Sequence, residues 1–256
     1  MGARMEDAGD RLIIWNGNTE KRGALSPELY ACILEACELA KERRIRSIIL
    51  TSEGPFFCAG GDLNVLISRQ GMPEEERRAG IDGLHDVIRA MRACPVPIIA
   101  AVEGGAAGAG LSFALACDII VAAQGAKFVA AYVKAGLVPD GGLTAHLART
   151  VPRQLSMEMC LLAQPVLAER MHALGVVNAL TEAGRTMDAG QKFADRFADG
   201  PRDAQAAIRK MVAAAYDATE AEQLDHERDA MGFATGAPEA AEGIAAFLEK
   251  RSPNYG

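Results

Sequence analysis

Three short runs of β-branched and small apolar residues, Ser47–Thr51, Ile98–Val102 and Asp118–Ala122, constrain this chain more than any other feature. Each is a handful of residues long and bounded by turn formers, which suits a buried strand and is too short for a buried helix. A further short strand reads at Arg11–Trp15. The segments between these runs read as helices. Ser26-Pro27-Glu28 opens one, with serine as cap, proline in the first turn and glutamate at the positive end of the dipole. Pro73 and the three glutamates after it open another, carrying Ile81, Leu84, Ile88 and Met91 along one face until Pro95 and Pro97 stop it. From Leu143 the pattern is mostly helical, interrupted near Gly175 and Gly184, and it closes with an amphipathic pair at Leu224–Phe233 and Ile244–Leu248. Strands alternating with helices, then helices alone, predict an α/β core of stacked strand–strand–helix units followed by a helical C-terminal region.

A chain of 256 residues can close one large core without covalent or metal staples. Cysteines 32, 37, 58, 94, 117 and 160 form no Cys-x-x-Cys pair, and histidines 85, 146, 172 and 226 stand alone. Neither a disulfide framework nor a metal site is expected, and a reducing cytoplasm is the natural setting. The longest apolar runs, Pro97–Val102 and Ile119–Ala123, fall far short of the ~20 residues of a membrane helix. Met1–Arg11 is acidic and lacks the apolar stretch of a signal peptide. A formal charge of −7 argues against nucleic acid or an anionic membrane as the main partner.

Two glycine-rich turns carry the chemical signal. The first, Phe56-Phe57-Cys58-Ala59-Gly60-Gly61-Asp62-Leu63, follows a strand and reads either as a strand-to-helix turn capped by Asp62 or as a place where a ligand meets bare backbone. The second, Gly104-Gly105-Ala106-Ala107-Gly108-Ala109-Gly110, lies between a strand and a helix. It fails as a dinucleotide fingerprint, because Phe113 stands where the third glycine belongs and no acidic residue follows at the required strand end. No Gly-Lys-Ser/Thr makes a phosphate loop, and no Gly-x-Ser-x-Gly surrounds Ser112. What remains is a helix N-terminus with forward-pointing amides, and two such turns suggest paired donors around an oxyanion. Asp140, in Pro139-Asp140-Gly141-Gly142, reads by itself as a turn residue or helix cap.

In order and spacing these segments resemble the crotonase, or enoyl-CoA hydratase/isomerase, superfamily from Leu12 to Asn254. The anchors are Phe57-Cys58-Ala59-Gly60-Gly61-Asp62-Leu63, Pro97 to Gly104, Ala114-Leu115-Ala116-Cys117-Asp118-Ile119-Ile120, Ala126-Lys127-Phe128, Gly136 to Gly142, and Glu242 to Arg251. The resemblance implies ββα units wound into a superhelix over residues 1–195, a helical trimerisation region over 196–256, and a homotrimer or a hexamer of two trimers. It implies an acyl-CoA thioester substrate, with coenzyme A entering as part of it and no separate cofactor. By position it places an oxyanion hole on the amides of Ala59 and Ala109. It also implies coenzyme A contacts from Arg22 and Ala24, from Ala59, Gly60, Gly61, Asp62 and Leu63, and from Phe247 and Lys250 of a neighbouring subunit.

The chain departs from the hydratases where their two catalytic glutamates align, at Ser112 and Tyr132. Neither side chain is ionised at neutral pH, so neither replaces a carboxylate that activates water. The stretch from Lys127 through Gly142 is similar instead to the isomerases of aerobic phenylacetate breakdown, whose Pro-Asp aspartate transfers the proton, and this makes Asp140 the expected base. Glu103 to Gly110 and Leu224 to Ala230 also resemble proteins described as an alternative type of oxepin-CoA hydrolase. Three readings follow: an enolate-forming isomerase using Asp140, a hydratase or ring-opening hydrolase using unconventional groups, and a silent acyl-CoA-binding oligomer.

Overall fold

Isoleucine, valine and alanine can fill a strand on both faces only where both faces are covered, and the central sheet is built that way. The computed structural model describes residues 2–255. Strands β1 (Arg4–Asp7) and β2 (Arg11–Asn16) pair antiparallel, and helix α1 (Pro27–Leu39) leads to β3 (Ser47–Ser52), which lies parallel to β2. Helices α2 (Leu63–Arg69) and α3 (Glu74–Ala93) precede β4 (Ile98–Val102), β5 (Gly105–Ala107) and α4 (Ala109–Ala116). Then come β6 (Ile119–Ala123), β7 (Lys127–Val129), a short 3-10 turn at Ala131–Ala135, α5 (Leu143–Thr150) and α6 (Arg153–Leu162). Strand β8 (Val166–Leu167), α7 (Ala168–Ala173), β9 (Ala179–Thr181) and α8 (Thr186–Ala198) complete the core. Helices α9 (Arg202–Ala214), α10 (Glu220–Thr235) and α11 (Pro238–Glu249) end the chain.

The larger sheet has the order β1-β2-β3-β4-β6-β9 and the smaller one β5-β7-β8. Successive turns of chain give one strand to each: β4 then β5, β6 then β7, each followed by helix. Cys58 extends the smaller sheet by a parallel bridge to Ala106, so the turn after β3 joins the same series. The α/β spiral expected from the sequence is therefore observed. Leu12, Ile14, Ile48, Leu50 and Ile98 point into the main core with Phe113 and Phe128, while Ile13, Ile49, Ile99 and Val121 pack on the other face beneath Phe193 and Ala194 of α8. Odd and even positions both being buried explains why these runs show no polar alternation.

Local signals act as the sequence suggests. Ser26 Oγ accepts the Leu29 amide at the start of α1, and α3 buries Leu84, Val87, Ile88 and Met91 at helical spacing. The third strand begins one residue later than expected, because Asp118 ties two neighbouring elements together instead. Its carboxylate accepts the Ile98 amide at 2.8 Å and Arg209 Nε at 2.7 Å. The expected division at residues 195 and 196 falls inside α8, which packs on the sheet. The first helix wholly in the C-terminal region is α9, so the change from sheet-covering to C-terminal helices comes at residues 199–201.

Candidate active site

Backbone approach builds the first half of the site. Gly60 has φ +90°, and a Cβ there would sit 2.6 Å from the Ala107 carbonyl oxygen and 3.1 Å from the Ala109 nitrogen. A side chain on Gly110 would strike the Cys58 carbonyl oxygen and lie 2.7 Å from its Sγ. The two glycine-rich turns thus touch main chain to main chain, further joined by Ala107 N–H donating to Cys58 O at 2.9 Å. Ala109 is the first residue of α4, where an amide has no partner within the helix and sits at the positive dipole end.

The structure corrects the other expected donor. The Ala59 amide donates to the Arg22 carbonyl oxygen at 3.0 Å, tying the turn to the loop after β2 and leaving that N–H committed. Among the described residues the amides of Gly61 and Ala109 have no acceptor. Gly61 directly follows Gly60, where a Cβ would lie 3.1 Å from the Ala109 nitrogen. Buried Cys58, whose thiol burial pushes up to about 12, stays neutral and supplies packing to this junction.

A hydroxyl–carboxylate cluster forms the second half. Tyr132 Oη donates to Asp140 Oδ1 at 2.7 Å, and Ser112 Oγ donates to the Asp140 carbonyl oxygen at 3.0 Å. The two hydroxyls lie 3.4 Å apart. The Asp140 side chain does not cap α5; its carbonyl closes the turn by accepting Leu143 N–H at 3.2 Å, and its carboxylate faces the tyrosine. Burial first, and then the charge on Asp140, push the Tyr132 phenol above the usual tyrosine range, so it stays a donor. The Tyr132 ring reaches the glycine-rich turns as well, with Cζ 4.0 Å from where a Cβ on Gly108 would stand. Tyr30, pushed up to about 12 by burial and by Asp140, packs edge-on to Phe113 with centroids 6.1 Å apart. His85, unremarkable in the sequence, accepts the Gly141 amide on Nε2 at 3.3 Å.

The positions expected to hold coenzyme A divide. Arg22, with φ +53°, lays its guanidinium over the Phe56 ring at 4.2 Å, beside a cleft of about 120 Å³ lined by Thr19, Gly23 and Pro55. Ala24 is buried, and its carbonyl oxygen accepts Asn18 Nδ2 at 2.8 Å. Asp62 caps α2 through the Asn64 amide and pairs with Lys21 Nζ at 2.5 Å, which holds its pKa below the usual carboxylate range. Leu63 is exposed. Phe247 and Lys250 project from α11, both exposed. Among the described residues no group of three or more His, Cys, Asp or Glu could hold a metal ion, and no helix is long and apolar enough to cross a membrane.

Comparison with known proteins agrees with this geometry. Residues 16–256 match the family described as enoyl-CoA hydratase/isomerase. The chain is 34% identical over 238 residues to the 1,2-epoxyphenylacetyl-CoA isomerase of Escherichia coli, covering 92% of this chain and 91% of that one. It is 31% identical over 258 residues to an enoyl-CoA hydratase of Mycobacterium tuberculosis, covering 99% and 96%. The crystal structure of an enoyl-CoA hydratase from Polaromonas sp. JS666 superposes with a TM-score of 0.96 at 41% identity over the whole of both chains. A match that runs unbroken from β2 to the C-terminal helices leaves one assignment: this chain belongs to the enoyl-CoA hydratase/isomerase family.

Proposed function

We propose that the protein is an acyl-CoA isomerase that works through a thioester enolate, with Asp140 as the proton-transfer base and the amides of Gly61 and Ala109 as donors to the thioester oxygen. The Tyr132–Asp140 hydrogen bond carries this reading. Where two carboxylates would activate water, the site holds two hydroxyls and a single carboxylate, with Tyr132 on the Asp140 side chain and Ser112 on its main-chain carbonyl. One carboxylate suits a reaction that takes a proton from one carbon and returns it to another, with no water added.

Removal of a proton near the thioester moves charge onto its carbonyl oxygen. Two backbone donors fixed beforehand, one at a helix N-terminus, stabilise that charge more than the neutral carbonyl; losing one such donor costs about 3 kcal/mol. Tyr132 occupies Oδ1 of Asp140 and leaves Oδ2 to carry the proton across. The relative named 1,2-epoxyphenylacetyl-CoA isomerase supports an acyl group derived from an aromatic ring. Arg22 and the cleft it lines provide a cationic, aromatic-backed place for part of coenzyme A. The exposed apolar faces of α10 and α11 fit assembly as a homotrimer or a pair of trimers.

A mass-resolved assay tests the proposal, with 3-enoyl-CoA and 2-enoyl-CoA offered separately to the wild type and to Asp140→Asn. The expected result is a double-bond shift without mass gain, reduced about 10²- to 10⁴-fold in the variant. A product heavier by one water from 2-enoyl-CoA would make the protein a hydratase, and binding without any turnover, including of ring-derived CoA esters, would make it a silent binder.

A further inference from the structure

We propose that His85 is a positioning residue for the Asp140 base, acting through the peptide bond that joins Asp140 to Gly141. This rests on the reading of Asp140 as the proton-transfer group. The carbonyl of Asp140 and the amide of Gly141 are the two poles of one peptide plane, and each pole is held by a different helix. Ser112 on α4 donates to the carbonyl oxygen at 3.0 Å, and His85 on α3 accepts from the amide at 3.3 Å. A plane held at both poles cannot rotate, so the direction in which Asp140 leaves the main chain is fixed before Tyr132 takes its Oδ1.

The turn needs such a hold. Gly141 and Gly142 have φ +60° and +76°, so no helix or strand ladder supports them. Gly141 also packs closely, since a Cβ on it would lie 2.8 Å from Ser112 Cβ and 3.4 Å from Leu84 Cδ2. Without His85 the amide would face this packed junction with no acceptor. A ring nitrogen accepts only when it carries no hydrogen, so the contact assigns the acceptor role to Nε2 and leaves Nδ1 as the donor. The anchor is rigid because the adjacent Leu84 is buried in the core face of α3.

The test compares His85→Leu, which has no acceptor, with His85→Gln, whose side-chain oxygen reaches about as far as Nε2, using 3-enoyl-CoA as substrate. His85→Leu should lose about 10- to 100-fold in kcat with KM changed less than about twofold, as expected when a bound substrate meets a misplaced base. His85→Gln should return kcat to within about threefold of wild type. Hydrogen exchange of the Gly141 amide gives a readout that needs no turnover: faster in His85→Leu, wild-type-like in His85→Gln, with α3 protected in both. Unchanged kcat and exchange in His85→Leu overturn the inference, as does a His85→Gln variant as impaired as the leucine one. Isomerisation that survives in Asp140→Asn would instead refute the base, while exchange at Gly141 still decides whether His85 holds the turn.

Discussion

Phe113 and Phe128 are 1% and 0% exposed, whereas Phe233 and Phe247 stand 80% and 83% in solvent. The same residue type is used in opposite ways by the spiral core and the C-terminal helices. The core closes on itself: its sheet is covered on both faces, and α4 is buried at every position. The C-terminal region is attached through α9, where two arginines cap core helices. Arg202 donates to the carbonyl oxygens of Ala40 and Ile45 beyond α1, and Arg209 to those of Met91, Arg92 and Cys94 at the end of α3. Helix α10 buries nothing, despite Leu224, Met231 and Phe233, and a groove of about 620 Å³ opens among α9, α10 and α11. One region supplies the stability of the single chain, and the other presents a surface that a single chain leaves uncovered.

Three variants sharpen or break this contrast. The largest loss is expected from Phe128→Ala, which should lower the unfolding free energy by about 3–5 kcal/mol in denaturant titrations. A loss under about 1 kcal/mol would mean that the core is not closed as described. Next comes His146, on the seam between the regions, in a groove shared with Val212 of α9 and with Tyr216 just after that helix. Burial, then Arg92 and Arg149, hold its pKa down at about 4. An unfolded histidine takes up its proton near 6.5, so stability is full above that pH and falls as pH drops toward 4. The fall from this residue is at most about 3 kcal/mol. A pH series of denaturant midpoints should flatten over that window in His146→Leu. The smallest effect on folding is expected from Phe233→Glu with Phe247→Glu: within about 0.5 kcal/mol for the dissociated chain. Sedimentation should nevertheless show the assembled species replaced by a lighter one, and an unchanged mass would remove these faces from the interface.

The contrast also explains what could be read in the sequence. Buried strands at Ser47–Ser52 and Ile98–Val102 were legible because two-sided burial demands apolar side chains at nearly every position. Strand β1 was not, since Arg4–Asp7 is an edge held by main-chain pairing to β2, which any residues can provide. Strand β5 hid inside a glycine run for the same reason. Within the site, the family pattern singled out Asp140, Ser112 and Tyr132, and the structure brings all three together. The same pattern put one amide donor on Ala59, whose N–H is already taken by the Arg22 carbonyl, a main-chain contact that residue type does not announce. The contact of His85 crosses 56 positions to a backbone amide, and nothing in residue type announces it.

The close seating of Gly141 on Ser112 has an evolutionary consequence. Ser112 is wholly buried, with the Asp140 carbonyl on its hydroxyl and the glycine against its Cβ. A glutamate introduced there has no room unless the whole Pro139–Gly142 turn withdraws, and the aspartate goes with it. Exchanging this arrangement for one with a carboxylate at position 112 would therefore take a concerted change of the turn and the side chain rather than a single substitution.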